Sequence, residues 1–202
     1  MTNTLQHRLT TLLCAIALFI ATPAVAQTTA KQLFDKAAAT IGYEGGVSAS
    51  FSMSGSGSVK GNIIIKGNKF KATTSGLTIW YNGQTQWTYL KQTEEVNITT
   101  PAEQAALNPY KIINLYKQGY DISYTKSGNN YQLHMTAQTA KHSIKEAYIT
   151  LNANYEPTQI KAQTADGWTI VNISGFKKGN FSDATFRFNP ADYPNAEIVD
   201  LR

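Results

Sequence analysis

Val47-Ser-Ala-Ser-Phe-Ser-Met-Ser54 decides how the rest of the chain is read. Apolar residues hold the odd positions and serine the even ones, a period of two that a strand converts into one apolar and one wet face. The alternation continues through Val59, Gly61, Ile63 and Ile65, then Phe70 and Ala72, then Leu77, Ile79 and Tyr81, then Trp87 and Tyr89, then Val96 and Ile98. Turn residues punctuate it at Gly55 to Gly57, Gly67-Asn68, Ser75-Gly76 and Asn82-Gly83. Asn82-Gly83 predicts a two-residue hairpin that pins the register of its flanking strands.

Upstream of this stretch the period is helical. Thr29-Ala-Lys-Gln32 has capping-box spacing, and Ala30, Leu33, Phe34, Ala37, Ala38 and Ile41 recur as one face before Gly42 stops the run. The strand pattern breaks once downstream. Pro101 to Leu107 reads as a helix start, and Asn108-Pro109 to Gln118 carries Ile112, Ile113, Leu115 and Tyr116, with Pro109 suited to a first turn. Strand patterns resume at Tyr120 to Lys126, Tyr131 to Gln138, Ile144 to Asn152, Pro157 to Ala165 and Trp168 to Phe176, and a short Phe186-Arg-Phe188 segment precedes Asn189-Pro190. About eleven strands at this spacing predict a mainly β fold, a large curved antiparallel sheet or an incompletely closed barrel. Two helical segments are too few to cover its apolar face, so the sheet either leaves a hollow or fills it with its own side chains.

The amino terminus sets the compartment. Arg8 and His7 precede a ten-residue apolar run, Leu12 to Ala21, and Ala24-Val-Ala26 supplies small residues, which predicts a signal peptide cleaved after Ala26. The run falls short of the roughly 18 residues a membrane span needs, so residues 27–202 are expected to leave the cytoplasm as one domain. Cys14, the sole cysteine, is lost with the signal, which excludes thiol catalysis and cysteine metal sites. Losing Arg8 lowers the excess of Lys and Arg over Asp and Glu from five to four, and the lysines are scattered apart from Lys66, Lys69 and Lys71. A nucleic-acid footprint would gather them on one face, so no nucleic-acid partner is expected.

Enzyme readings find no support. His134 and His142 lack metal-ligand spacing, and the glycine-rich Gly55 to Gly61 leads from strand to strand rather than into a phosphate-cradling helix. Glu94 and Glu95 point to opposite faces of a strand. No catalytic residue, metal or cofactor is expected.

Several segments together resemble the periplasmic outer-membrane lipoprotein carriers, the LolA-like family: Lys66-Gly-Asn-Lys-Phe70, Ile79-Trp-Tyr-Asn-Gly83, Gln84-Thr-Gln-Trp-Thr-Tyr89, Glu95-Val96, the Asn108-Pro109 helix and Phe186-Arg-Phe-Asn-Pro190. The resemblance implies an unclosed barrel with a helical lid over an apolar cavity, in which lipoprotein acyl chains travel from an inner-membrane exporter to an outer-membrane receptor. It also implies a periplasmic location. A monomer is the default. The residues expected to line such a cavity are Phe51, Met53, Ile63, Ile65, Phe70, Leu77, Ile79, Trp87, Tyr89, Leu107, Ile112, Ile113 and Tyr116. Trp87 could equally be core, and Trp80, on the face opposite Ile79 and Tyr81, could pack under the amino-terminal helix. Where the family has an Arg-Pro pair whose arginine helps hold the lid, this chain has Lys66-Gly67, so Lys66 is either the lid latch or an exposed strand-end lysine. If Ile113 sits on a lid above a cavity, Ile113→Glu should weaken acyl binding and leave the fold intact. The same fold could instead serve a lipid-binding or sensing module of the cell envelope, which would not transport lipoproteins.

Overall fold

A computed structural model describes residues 29–55, 57–100 and 109–202, with the backbone alone at 109–111. The expected signal segment and Leu107 lie outside the described residues. Twelve strands form one sheet: β1 (Val47–Ser54), β2 (Ser58–Lys66), β3 (Lys69–Thr74), β4 (Leu77–Tyr81), β5 (Gln86–Leu90), β6 (Glu95–Thr99), β7 (Tyr120–Ser127), β8 (Asn130–Ala137), β9 (Glu146–Leu151), β10 (Pro157–Thr164), β11 (Gly167–Lys178) and β12 (Glu197–Asp200). Their order is β12-β6-β5-β4-β3-β2-β1-β11-β10-β9-β8-β7, so two meanders join through the β1–β11 pair and the two end strands, β12 and β7, do not pair with each other. Every neighbouring pair is antiparallel except β12 with β6. The sheet is an unclosed half-barrel. Bulges at Ser48/Ser50 and Pro157/Gln159 add local twist.

Helix α1 (Ala30–Ile41) starts with the capping box read from the sequence: Thr29 Oγ1 accepts from the Gln32 amide, and Gln32 Oε1 accepts from the Thr29 amide. It buries Leu33, Phe34, Ala37, Ala38 and Ile41. Helix α2 (Pro109–Asn114) continues into a 3-10 turn, Leu115–Lys117. Both helices join one core with the inner face of the sheet, including Val47, Ile65, Phe70, Tyr81, Leu133, Met135, Ile149 and Ile160.

Three local expectations are corrected. The β4–β5 connection is a four-residue loop, Asn82 to Thr85, because Tyr81 pairs with Gln86. Asn82 stabilises the longer turn, its Oδ1 accepting from the amides of Gln84 and Thr85 at 2.9 and 2.8 Å, while Gly83 takes φ 100°. Phe186-Arg-Phe188 is not a strand: Asp183–Phe186 is a 3-10 turn, and Phe186 and Phe188 are both buried. The additional strand is β12, which brings the sheet to twelve.

The segment after β11 crosses to the outer face. Its Phe188 and Tyr193 meet Trp80 edge-on at 5.6 Å, and with Val96, Trp87 and Tyr89 they form a second apolar cluster. Trp80 therefore packs under this carboxy-terminal strap and not under α1. Gly179 and Phe181 donate backbone hydrogen bonds to Gly46 and Gly45, which ties the strap to the loop after α1.

Candidate functional site: the inner face of the sheet

Cross-strand partners share a face, so the pairing register assigns every side chain. One row runs Ala49, Ile63, Ala72, Ile79, Thr88, Asn97 and Val199, and a parallel row runs Val47, Ile65, Phe70, Tyr81, Gln86 and Thr99. Ile79 and Tyr81 pack with the helices, which makes both rows inner. On the other meander the inner face continues through Phe51 with Ile173 and Met53 with Val171, then Ile160, Ile149 and Leu133.

Coverage of this face is uneven. Leu133, Met135, Ala147, Ile149 and Leu151 on β8 and β9 are almost wholly buried, as are Val47, Ile65, Phe70 and Tyr81. Phe51, Met53, Ile63, Ala72, Leu77, Ile79, Val171 and Ile173 remain half-buried. The inner face is thus packed on β8 and β9 and along the row Val47, Ile65, Phe70 and Tyr81, and it is half-exposed along the strip from Val171 and Ile173 to Ile79, several of whose residues still border the core. Phe51 lies over Gly61, where a Cβ would come within 3.0 Å of its ring and 2.2 Å of the Thr73 carbonyl oxygen. Glycine there lets the ring lie flat on the sheet.

The expected cavity residues therefore divide. Phe51, Met53, Ile63, Leu77 and Ile79 share the half-open strip. Ile65 and Phe70 belong to the same face but are buried in its packed part. Trp87 and Tyr89 lie on the outer face, since they pair with Trp80 and Thr78. They serve the strap cluster. Ala72, Val171 and Ile173 join the strip, and the alternation that places them was legible although they were not singled out.

The α2 residues are also relocated. Ile113 is 1% exposed and Tyr116 7% exposed, both in the core, and Ile112 and Leu115 pack at its margin. Beneath α2 is α1 and not an empty cavity. The Tyr116 ring stacks on Phe34 at 4.8 Å, and its hydroxyl donates to Asp35 Oδ1. The Asp35 carboxyl is held below its ordinary range by the Lys31 ammonium and then by this hydroxyl. Burial and the carboxylate together push the Tyr116 phenol up. Ile113→Glu would place a charge in the core and destabilise the fold, contrary to the expectation from the sequence.

Lys66 does donate to a carbonyl, but the acceptor among the described residues is Phe181 O, at 2.8 Å, in the strap. Lys69 pairs with Asp183 at 2.8 Å beside it. These two lysines fasten the strap, while the described contact between α2 and α1 runs through Asp35 and Tyr116. A groove of about 630 Å³ lies along β1, β2, β3 and β11, lined mostly by polar residues such as Ser50, Ser52, Asn62, Asn172 and Ser174 and also by Phe51, Gly61 and Ile173. Among the described residues no group of three His, Cys, Asp or Glu is arranged to hold a metal, and no helix is long and apolar enough to cross a membrane.

An unclosed antiparallel half-barrel, with two helices on part of its inner face and an apolar strip left half-open, is the class this architecture defines. The chain belongs to the family described as outer membrane lipoprotein carrier protein LolA, whose model matches residues 20–166, from before α1 to just past β10. No curated protein matches the sequence. Among solved structures, an uncharacterized conserved protein from Thermus thermophilus is similar at 12% identity, with 85% of this chain and 98% of that one covered and a TM-score of 0.58. That likeness is one of fold. A LolA superfamily protein from Nitrosomonas europaea aligns at 11% identity and TM-score 0.44, covering 80% of this chain and 99% of that one. A putative outer membrane lipoprotein-sorting protein domain from Vibrio parahaemolyticus aligns at 12% identity and TM-score 0.43, covering 79% and 96%.

Proposed function

We propose that the protein is a soluble periplasmic carrier that binds the acyl chains of lipoproteins on its inner face and moves them from inner to outer membrane. The observation that carries this reading is the half-open apolar strip of Phe51, Met53, Ile63, Leu77, Ile79, Val171 and Ile173 in a chain of this family. Exposing one long acyl chain to water costs on the order of 10 kcal/mol at ~0.8 kcal/mol per methylene, so such cargo does not cross an aqueous gap unaided. A strip of aliphatic and aromatic side chains covers methylenes without demanding one chain shape.

On this reading residues 1–26 are a signal peptide cleaved after Ala26, and the carrier meets an inner-membrane exporter and an outer-membrane receptor. Release then depends on α2 and the turn that follows it, whose described contacts with α1 are the Tyr116 ring on Phe34 and the Tyr116 hydroxyl on Asp35. No chemical step is involved.

The test mixes the mature protein with vesicles holding a purified triacylated lipoprotein and follows the soluble fraction by native mass spectrometry. A soluble one-to-one complex that forms only with acylated cargo supports the carrier. Cargo that stays in the vesicles at every protein concentration overturns it. If free lipids bind under the same conditions, the lipid-binding envelope module becomes the better account.

A further inference from the structure

The turn between β9 and β10 holds a tyrosine where glycine is the ordinary choice. Tyr155 takes φ 61°, in the left-handed region that a bulky side chain rarely adopts. Asn152 builds the turn around it. The Tyr155 amide donates to the Asn152 carbonyl at 3.0 Å, and Asn152 Oδ1 accepts from the amides of Asn154 and Glu156 at 2.9 and 3.0 Å. Glycine would complete this turn without strain, so the strain at Tyr155 is offset by what its ring reaches.

The ring stands between two cations. Lys36 Nζ, on α1, donates to the Tyr155 hydroxyl at 3.0 Å and lies 4.4 Å from the ring centre. The Tyr131 ring stacks on Tyr155 at 5.7 Å, and Lys126 Nζ stands 5.5 Å from the Tyr131 ring centre. Lys126 and Tyr131 are cross-strand partners in the inner-facing row that continues to Leu151, at the end of the sheet near the β7–β8 turn. Among the described residues neither lysine takes part in a salt bridge. The carboxylates next in sequence are engaged elsewhere, Asp35 with Lys31 and Tyr116, and Glu156 with Asn152. Lys36 first, then Tyr131 and Lys126, hold the Tyr155 phenol below its ordinary range, the sign of a positive field at its oxygen.

From this we infer that Lys36, Lys126, Tyr131 and Tyr155 form a binding site for a phosphate group, the two ammoniums supplying charge and the two phenols hydrogen-bond donors. The Tyr155 hydroxyl accepts from Lys36 and so keeps its own proton to donate. Donors converging from α1, β7, β8 and the β9–β10 turn suit a tetrahedral oxyanion, whose oxygens engage all four groups, better than a flat carboxylate with two. The lysines act as point charges that tolerate several orientations of the anion. The site is separate from the half-open strip on β11 and β1 to β4, so phosphate binding does not depend on acyl binding. Free phosphate and phosphate carried on a bilayer share this chemistry, and the experiment separates them.

The mature protein, carrying tyrosine labelled with carbon-13 at Cζ, is titrated with inorganic phosphate at constant ionic strength and followed by NMR. Sedimentation with vesicles of phosphatidylglycerol in phosphatidylcholine, against phosphatidylcholine alone, supplies the bilayer arm. Phosphate should bind saturably, shift the Tyr131 and Tyr155 signals first and move the Tyr155 titration upward. Lys36→Gln and Lys126→Gln should each weaken binding at least 5-fold. Lys60→Gln, an equal loss of charge at an exposed outer-face position, should leave it within 1.5-fold. Tyr155→Asn relieves the turn and separates the ring from the fold: the melt should stay cooperative while phosphate binds at least 5-fold more weakly. Vesicle binding that follows the same variants, with free phosphate too weak to saturate, assigns the site to bilayer-borne phosphate. No saturable binding of either probe, or binding that Lys60→Gln weakens as much as Lys36→Gln, overturns the inference and leaves the acyl-binding reading untouched.

Discussion

Replacing Tyr116 by phenylalanine removes one oxygen and keeps the ring on Phe34, so it probes the hold of α2 on α1 without opening a cavity. The lost hydroxyl donates to Asp35, which also accepts from Lys31 Nζ at 2.8 Å. A hydrogen bond to a charged group contributes ~1.5–3 kcal/mol when shielded from water. The Asp35 side chain is 42% exposed, and water and salt reduce that contribution to about 1 kcal/mol. At 1.4 kcal/mol per decade this is roughly a 5-fold shift in the opening equilibrium of α2. Amide hydrogen exchange reads it directly: exchange at Ile112 to Tyr116 should speed up about 5-fold at neutral pH, with β8 and β9 unchanged. The pH dependence supplies a second check. The Asp35 carboxyl is lowered in the fold, so its contribution is present above the ordinary carboxylate range and is lost as pH falls through the folded value. The Tyr116 phenol is raised, so its contribution is complete below the ordinary tyrosine value and is lost only as pH rises through the folded one. The difference between wild type and Tyr116→Phe should therefore persist from neutral to mildly alkaline pH and shrink on acidification. Unchanged α2 exchange, or a difference that does not shrink in acid, refutes this account of the latch.

The strip and the outer cluster make opposite predictions. Ile63→Asp should weaken acyl binding by at least ~2 kcal/mol, about 30-fold, yet leave a cooperative melt, because the side chain is only half-buried. Trp87→Ala should cost about 2–3 kcal/mol of stability by emptying the strap cluster and leave displacement of an acyl probe within 2-fold. Lys66→Met removes the donor to Phe181 O and should speed proteolytic cleavage between residues 179 and 188 about 5-fold, for a loss of ~1 kcal/mol. The Glu146 carboxyl is held below its usual range by the Tyr148 hydroxyl and then by His134, so the advantage of wild type over Glu146→Gln in melting temperature should fade as pH drops through the carboxylate range.

Much of the sheet was legible because each strand had only one face to bury. The Val47 to Ser54 alternation fixed which side of β1 is inner, and the Thr29 capping box marked the start of α1 because its donors and acceptors lie within four residues. The errors came where a side chain's environment is set by something distant. Trp87 and Tyr89 suggested a hydrophobic lining by size, yet parity already opposed it. Whether the Asn82 loop has two residues or four, an even count pairs the odd positions of β5 with the even positions of β4, which puts Trp87 on the face of Trp80. What the sequence could not show is the strap that makes an apolar outer face acceptable there. The strap arrives from more than 90 residues downstream, and Phe186 and Phe188 alternate like a strand although one closes a 3-10 turn. The role of Lys66 was undecided for the same reason: the acceptor it reaches among the described residues, Phe181 O, lies 115 residues away. Strand β12 escaped notice because four residues, Glu-Ile-Val-Asp, show too little alternation to weigh against the prolines before them.

The uneven cover of the inner face bears on how such a carrier could both hold and release its load. Were the whole face open, a long chain would recover nearly the full cost of its exposure, on the order of 10 kcal/mol, and two or three chains together would be held almost irreversibly. On the proposed reading, with α1 and α2 packed toward the β7–β10 side, each chain would meet a strip of half-buried residues on β11 and β1 to β4 and recover a fraction of that. Affinity then depends on how many chains engage at once, which favours multiply acylated cargo over single fatty acids without a shape-selective pocket. The packed side has a second consequence. Because α2 rests on α1 through Phe34, Asp35 and Tyr116, and not directly on cargo, its opening equilibrium is set by contacts the acyl chains need not break. A partner that displaces Tyr116 from Asp35 would loosen α2 without competing for the strip.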